Sequence, residues 1–414
     1  MSKAYLESIK KCSRCGGCQA HCPLYLETFR EQMVARGKME LLENLQKGSI
    51  QWNKKLADIF SACLLCGSCT ESCPNGVFAD KLIMHGRKEL VENRGLPIIK
   101  KNIFQHLLKY NGRLNIAGKI LYLYQKIGLQ KLLRVAPILN LVSNDLGNIE
   151  AMLPKVASGP FRGRFPYRNT VENPRLKVAY FTGCMTNLIN HNVGYNIMKL
   201  LKAHGVEVLI PEQVCCGVPA YASGDFAAGN FLAQENLKNF LSEEVDYYIF
   251  DCATCLSTWL DYPELLETDK AAKASKKLMD INHFLVEVLD IRIDAVEYGV
   301  KVTYHDPCHL KRTQRGRTAP RELLKRLEPA YEFVEMDLAD QCCGSAGSFG
   351  LTHYKLSQQV GKRKLDGIKE SKASIVATAC PSCMMQLSHV LKNDKSQSSV
   401  KHLVEIVGAC FHRS

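Results

Sequence analysis

Three patterns of apolar and polar positions follow one another along the chain, and each predicts different elements. In the first 95 residues two cysteine-bearing loops are separated by forty residues with apolar positions at helical spacing, including Arg36, Gly37, Lys38 and the run MELLENL. Arg36 and Lys38 either serve a negatively charged group in the loops or begin a solvated helix. Next, apolar residues recur every three or four positions: Ile103, Phe104, Leu107 and Leu108, then Ile116, Ile120, Leu123 and Ile127, then Leu129, Leu132 and Leu133. These read as amphipathic helices. A Pro/Gly/Arg-rich stretch from Pro154 to Pro174 reads as an extended linker. Beyond it, strand-like runs at 177–182, 206–210 and 247–251 alternate with a helix over 225–242. Strands interleaved with amphipathic helices predict an α/β unit with a mostly parallel sheet.

The third pattern occurs twice. Cys184, the pair Cys215-Cys216 followed by Gly217, and Cys252-x2-Cys255 return as Cys308, Cys342-Cys343 followed by Gly344, and Cys380-x2-Cys383. Even the tails correspond, HFLVEVL from His283 and HLVEIV from His402. A duplication with a period of about 125 residues predicts two similar lobes facing each other across a pseudo-twofold axis. The division expected is 1–95, a helical two-cluster domain; 96–174, a basic helical segment and linker; then repeats at 175–298 and 299–414.

The chain has 414 residues, 46% hydrophobic and 23% charged, so it is an ordinary globular protein with room for two or three domains. Nineteen cysteines are too many for packing alone. The start, MSKAYLESIKKC, carries no apolar leader, so a reducing, cytoplasmic setting is expected and the thiols point to metal. No apolar run is long enough to span a membrane.

Net charge is +13, and no acidic residue falls between Glu92 and Asp145. That stretch holds Arg94, Lys100, Lys101, Lys109, Arg113, Lys119, Lys126, Lys131 and Arg134. A basic face opposite an apolar one suits an anionic membrane surface or an acidic partner, or else a helical linker packed on its own domains. No nucleic-acid motif accompanies the charge.

The N-terminal loops read Cys12-x2-Cys15-x2-Cys18-x3-Cys22-Pro23 and Cys63-x2-Cys66-x2-Cys69-x3-Cys73-Pro74. This is the bacterial ferredoxin spacing. Three cysteines of a tight loop reach one [4Fe–4S] cube and the fourth crosses to the other. One cluster is therefore assigned to Cys12, Cys15, Cys18 and Cys73, the other to Cys63, Cys66, Cys69 and Cys22. Gly16, Gly17 and Gly67 leave room for backbone N–H groups to approach the sulfurs. In the repeats, loops at the carboxyl ends of parallel strands bring five thiols to each crevice, more than one tetrahedral zinc takes. They hold a larger iron–sulfur assembly, or zinc with a thiol left over. Cys410 stands outside every motif. His305 and His309 flank Cys308 as candidate proton relays or polar neighbours. Gly344-x2-Gly347-x2-Gly350 is not a dinucleotide fingerprint, and no P-loop or flavin signal occurs.

Taken together, the loops and repeats resemble the cysteine-rich (CCG) domain family of iron–sulfur proteins. Its members include the iron–sulfur subunits of glycolate oxidase and of lactate utilisation, a subunit of anaerobic glycerol-3-phosphate dehydrogenase, and heterodisulfide reductase. CCGSAGSFGLTH, from Cys342 to His353, is similar to the glycolate oxidase subunit, and VCCGVP at 214–219 to the glycerol-3-phosphate type. The resemblance implies one non-cubane [4Fe–4S] cluster on Cys184, Cys215, Cys216, Cys252 and Cys255, and another on Cys308, Cys342, Cys343, Cys380 and Cys383, with zinc in one repeat as the alternative. It further implies an electron-transfer subunit of a 2-hydroxy acid (glycolate or D-lactate) dehydrogenase. A flavin-bearing partner would feed it, and a quinone or other carrier would accept the electrons, with residues 96–144 resting on the inner face of the membrane. The competing expectations are a catalytic subunit reducing a disulfide at non-cubane clusters, the membrane-docking subunit of an anaerobic glycerol-3-phosphate dehydrogenase, and a scaffold with zinc in its lobes.

Overall fold

The computed structural model describes residues 3–130, 146–293, 299–311, 313 and 316–411. Lys131, Leu132, Leu133 and Arg134 of the basic segment lie outside these residues.

Short helices build the N-terminal domain. Ala35–Gln46, Lys54–Ser61 and Ala79–Arg94 pack Met39, Leu42, Leu56, Ile59, Phe60, Leu82 and Ile83 into one core, and Asn53 caps the second through the Leu56 N–H. The apolar spacing of MELLENL thus becomes a buried helical stripe. Each cysteine loop turns into its following helix (Gly17–His21 and Ser68–Glu71) at Gly16 and Gly67, whose φ values of +86° and +71° suit only glycine well.

Two sheets follow. In the first, strands β1 (Arg168–Asn169), β2 (Leu176–Phe181), β3 (Val206–Leu209), β4 (Tyr247–Phe250) and β5 (Leu278–Asp280) lie in the order β1-β3-β2-β4-β5. In the second, β6 (Val300–His305), β7 (Tyr331–Phe333), β8 (Ile375–Thr378) and β9 (Ser399–His402) lie in the order β7-β6-β8-β9. All pairings are parallel except β1 with β3. Without β1 the two orders are the same. The registers match as well: Phe181 sits opposite Phe250 and His305 opposite Thr378, each pair just before the cysteine loops. Helix packing is reciprocal. His191–Ala203 of the first repeat packs on Leu403–Phe411 of the second, and Thr318–Lys325 of the second packs on Ile281–Glu287 of the first.

Two expectations change. The stretch Pro154–Pro174 is not a free linker. Phe161 is fully buried against the glycine face of the His191–Ala203 helix, its N–H donates to the Asn187 carbonyl, and β1 adds an antiparallel edge strand. Its mixed composition hid one large aromatic anchor. The tails correspond differently too. In strand register His402 matches Asp280, not His283, for each closes its strand and caps the next helix, Asp280 by accepting the Asn282 N–H and His402 the Val404 N–H.

The basic segment forms helices Ile98–Asn102 and Asn111–Lys126 with a π-helical stretch, Ile103–Leu107, after the first. Part of it packs on its own protein and part is left exposed. Phe104 and Gly118 are buried on the first repeat, whereas Ile98, Ile99, Ile116, Ile120, Leu123 and Ile127 are exposed. Among the described residues no helix is long and apolar enough to cross a membrane.

The ferredoxin-like domain clasps both repeats. Arg87 is buried and donates to the carbonyls of Phe60, Ser61, Cys63 and, across the junction, Ala222. Lys81 pairs with Glu264 of the first repeat. Glu71 pairs with Arg317 at 2.5 Å and Lys311 at 2.9 Å on the second, and Glu27 with Arg363 at 3.1 Å. Replacing Arg87 by Met strands four carbonyls at this junction, each costing roughly 1 kcal/mol or more. Differential scanning calorimetry of Arg87→Met is expected to show a midpoint at least about 5 °C lower. A shift within about 1 °C would contradict the assignment.

Candidate metal centres

Cys22 lies with Cys63, Cys66 and Cys69 around one cavity, also lined by Pro23, Leu24, Met33 and Ile83. Burial pushes the Cys22 thiol up to about 12, and burial among the neighbouring thiols raises Cys69. Cys66 goes the other way, lowered to about 7 by its hydrogen bond with Cys342, and four thiols gathered around one cavity form a donor set that fits a metal centre. On the other loop, Cys12 and Cys18 are neighbours and Cys15 is exposed. Cys73 is carried there by the following turn, where Asn75 donates to the Lys11 carbonyl at 3.1 Å and to Ser13 Oγ at 2.7 Å. The structure thus brings Cys22 to the Cys63 loop and the turn after Cys73 to the Cys12 loop.

Lys38 lies beside the Cys63 loop, whereas the Arg36 guanidinium pairs mainly with Glu31 at the partly exposed helix start. Arg36 Nη1 donates to the Arg14 carbonyl at 3.3 Å, and its own N–H reaches Cys18. Lys38 is fully buried, its Nζ donating to the carbonyls of Gln32 at 3.0 Å and Met33 at 2.7 Å. Burial lowers its pKa, and the Cys63 and Cys22 sulfurs oppose that. A buried ammonium beside anionic sulfurs stabilises the more negative state of the site. Gly16 admits Arg36, since a Cβ there would lie 2.8 Å from its Nη1. Gly17, in contrast, has only ordinary contacts.

In each repeat the five cysteines meet. Cys184 touches Cys215, Cys215 touches Cys216, Cys216 touches Cys255, and Cys255 touches Cys252. Cys308 touches Cys342, Cys342 touches Cys343, and Cys343 lies 3.5 Å from Cys383, which touches Cys380. The glycine after each pair, at φ +91° and +87°, turns its N–H back onto the first sulfur: Gly217 onto Cys215, and Gly344 onto Cys342 at 3.4 Å. Cys252 and Cys380 each cap a helix, Ala253–Leu266 and Pro381–Asn393, whose first turn presents the second cysteine of the motif. Hydrogen bonds from neighbouring thiols depress Cys216, Cys343 and Cys380, led by Cys215, Cys342 and Cys252 respectively. Cys184, Cys342 and Cys383 rise, led by hydrogen bonds with Cys215, Cys308 and Cys343. Nine of the ten cysteines are buried and Cys184 is half-buried. Cys410 is buried in the apolar core between the lobes, apart from all of them.

The groups also touch one another. Cys66 contacts Cys342 beside Cys308, within an apolar patch of Leu24, Leu64, Phe349 and Val360. Cys252 contacts Cys380 across the lobes, where the Ala253 N–H donates to the Ala379 carbonyl. An unbroken row of thiols therefore runs from the Cys66 loop through the second repeat to the first. Motif spacing gave the ligand groups but not this order, which depends on how three units dock. His309 Nδ1 lies 3.7 Å from Cys308 Sγ at a partly open position, while His305 is enclosed.

Comparison with known proteins agrees with this geometry. A model described as "Cysteine-rich domain" (CCG) matches residues 178–259 and 302–388. "4Fe-4S dicluster domain" matches 8–77, and "Glycolate oxidase iron-sulfur subunit, linker region" matches 95–153. The chain is 31% identical to the probable glycolate oxidase iron-sulfur subunit of Bacillus subtilis, over 96% of this chain and 93% of that protein. The chain belongs to the glycolate oxidase iron–sulfur subunit family. Within this family of CCG-domain proteins it also resembles lactate utilization protein A of Oceanobacillus iheyensis, 28% identical over 56% of this chain and 96% of that one. A subunit of the fumarate reductase (CoM/CoB) of Methanothermobacter marburgensis is 32% identical over 58% of this chain and 47% of that protein.

Two outcomes are expected at these sites. In Gly344→Ala a Cβ would lie 2.6 Å from the Ser357 carbonyl at φ +87°, a strain of about 1–3 kcal/mol. Metal analysis should then show loss from the second repeat with the ferredoxin-like signal intact, and full loading would contradict the role given to this glycine. In Lys38→Met, a lost attraction of about 1–2 kcal/mol should lower the midpoint of the Cys63-loop cluster by roughly 40–90 mV in a redox titration. An unchanged midpoint would remove Lys38 from that site.

Proposed function

We propose that this chain is the electron-transfer subunit of a flavin-dependent 2-hydroxy acid dehydrogenase, oxidising glycolate or D-lactate, and that it carries electrons in a fixed order. They pass from the cluster at Cys12, Cys15, Cys18 and Cys73 to that at Cys63, Cys66, Cys69 and Cys22, then to the second repeat, then to the first. The observation that carries this reading is the row of contacts Cys66–Cys342 and Cys380–Cys252. Iron–sulfur groups are one-electron couples, and sulfurs in van der Waals contact leave no gap for an electron to cross through solvent. Burial of the repeat cysteines favours a relay over a disulfide-reducing site, which would need an open crevice.

The two ends differ in what they face. At one, Cys15 is exposed on the Lys11–Gly16 loop, where a flavin-bearing partner has access. At the other, half-buried Cys184 lies near Arg162, whose guanidinium donates to the Gln213 carbonyl and to Asn111 Oδ1 at the start of the Asn111–Lys126 helix. That helix carries the exposed Ile116, Ile120 and Leu123 among Lys119 and Lys126, with Ile127 exposed at its C-cap. We infer that this face rests on an anionic membrane surface and brings the first repeat to a quinone. Each complete repeat holds a non-cubane [4Fe–4S] cluster in this reading, and zinc in one repeat is the competing outcome. The matching strand orders and the reciprocal helix packing support a pseudo-twofold relation between 175–298 and 299–414.

The test is a vesicle and turnover experiment on the complex with its dehydrogenase subunit. Glycolate or D-lactate should reduce the iron–sulfur signals and then a soluble quinone analogue. Ile116→Asp with Ile120→Asp should abolish co-sedimentation with phosphatidylglycerol vesicles while leaving iron content and substrate-driven reduction unchanged. Reduction confined to an added disulfide, or vesicle binding unaffected by the two changes, would contradict the reading.

A further inference from the structure

The two repeats are not chemically equivalent, and the difference is one side chain. At the end of β2, three residues before Cys184, stands Phe181, and at the same register of β6, three residues before Cys308, stands His305. Phe181 stacks on Phe250 with ring centroids 5.3 Å apart and packs on Phe240 and Trp259, so the first repeat closes this position with aromatic rings. In the second repeat the Phe250 position is Thr378. The rings are replaced by polar groups.

Among the described residues these polar groups find no nitrogen or oxygen partner: His305 is fully enclosed with only the Cys343 thiol to interact with, and the Thr378 hydroxyl has no hydrogen-bond partner. A buried imidazole without an oxygen or nitrogen partner is costly, and native interiors supply such a group with one. The atoms it faces are sulfurs. One ring nitrogen of His305 and the Sγ atoms of Cys343 and Cys383 all lie within 4.8 Å of one another, the span of ligands around a single metal ion. Imidazole and thiolate together form an established donor combination for zinc and for iron–sulfur groups, where nitrogen in place of sulfur raises the potential. No such donor exists in the first repeat, because phenylalanine cannot bind a metal.

We propose that His305 supplies a nitrogen donor to the group held at the second repeat, which makes that site mixed nitrogen–sulfur and leaves the first all-sulfur. The proposal rests on the reading of the second repeat as a metal site. It gives the two lobes different redox properties in spite of identical cysteine patterns. It also separates His305 from His309. His305 is fully enclosed against the sulfurs whereas His309 is partly open, which suits the first to a ligand's role and not to a relay's.

The test uses full-length protein grown with 15N-histidine, purified without oxygen, with iron, sulfide and zinc counted on the same sample. Pulsed electron paramagnetic resonance reads histidine nitrogen coupled to an iron–sulfur centre, and X-ray absorption at the zinc edge reads nitrogen in a zinc first shell. A strongly coupled or directly bound histidine nitrogen is expected in the wild type and in His309→Gln, and should vanish in His305→Phe, which copies the first repeat. Full metal loading with no histidine nitrogen, or a nitrogen signal that survives His305→Phe, overturns the proposal while leaving the metal site standing. A metal count showing only the two ferredoxin-type clusters overturns the metal reading of the repeats, and this proposal with it. Should His305→Phe fail to fold, labelled His309→Gln decides the matter: a retained histidine nitrogen supports the proposal, and its loss or absence overturns it.

Discussion

Everything distinctive about this molecule depends on one packing constraint: three units of the chain bring their cysteines into contact in its interior. Cys66 leaves the ferredoxin-like domain on a loop that ends against Cys342, and Cys380 of the second repeat meets Cys252 of the first. Had the units been joined by flexible linkers, each group would be an isolated site. The junction is instead fixed by Arg87 bridging to Ala222, by Lys81 with Glu264, and by Glu71 with Arg317 and Lys311. Most of these ion pairs are partly exposed and individually weak. Buried Arg87 is the stronger tie, since its removal would strand carbonyls on both sides of the boundary.

The same backbone device recurs wherever sulfur must be approached closely. Gly16 and Gly67 turn the two ferredoxin-like loops, and Gly217 and Gly344 turn the two cysteine pairs, all with positive φ. At the pairs this points an N–H at a sulfur, which favours the anionic form a metal requires. Lys38 contributes a charge from the other side of the Cys63 loop. The protein therefore surrounds its sulfurs with N–H groups and a buried cation, while apolar side chains such as Leu24, Leu64 and Phe349 keep water away.

Much of this was legible in the sequence because ligand spacing is a local property. The ferredoxin loops, the duplicated cysteine pattern, strands β2, β3 and β4, and the Phe226–Phe240 helix all follow from spacing and period. What stayed hidden is what depends on docking or on single residues. The stretch from Pro154 to Pro174 has a linker's composition, yet Phe161 nails it to the first repeat. Lys38 reads as an ordinary helix-start lysine until its burial is seen. The tails around His283 and His402 look alike as strings but align one strand end differently. His305 stands in a run, VTYHDPC, whose counterpart VAYFTGC carries phenylalanine at that place. The signal was present in the repeat comparison, but its meaning requires the cavity.

The central claim is that redox groups extend through both lobes rather than ending in the ferredoxin-like domain. The most direct measurement is iron, acid-labile sulfide and zinc per chain, on protein purified without oxygen. About 16 irons with matching sulfide and no zinc is the result this account predicts. About 8 irons with one or two zincs would contradict it, for the lobes would then be scaffold around a two-cluster wire.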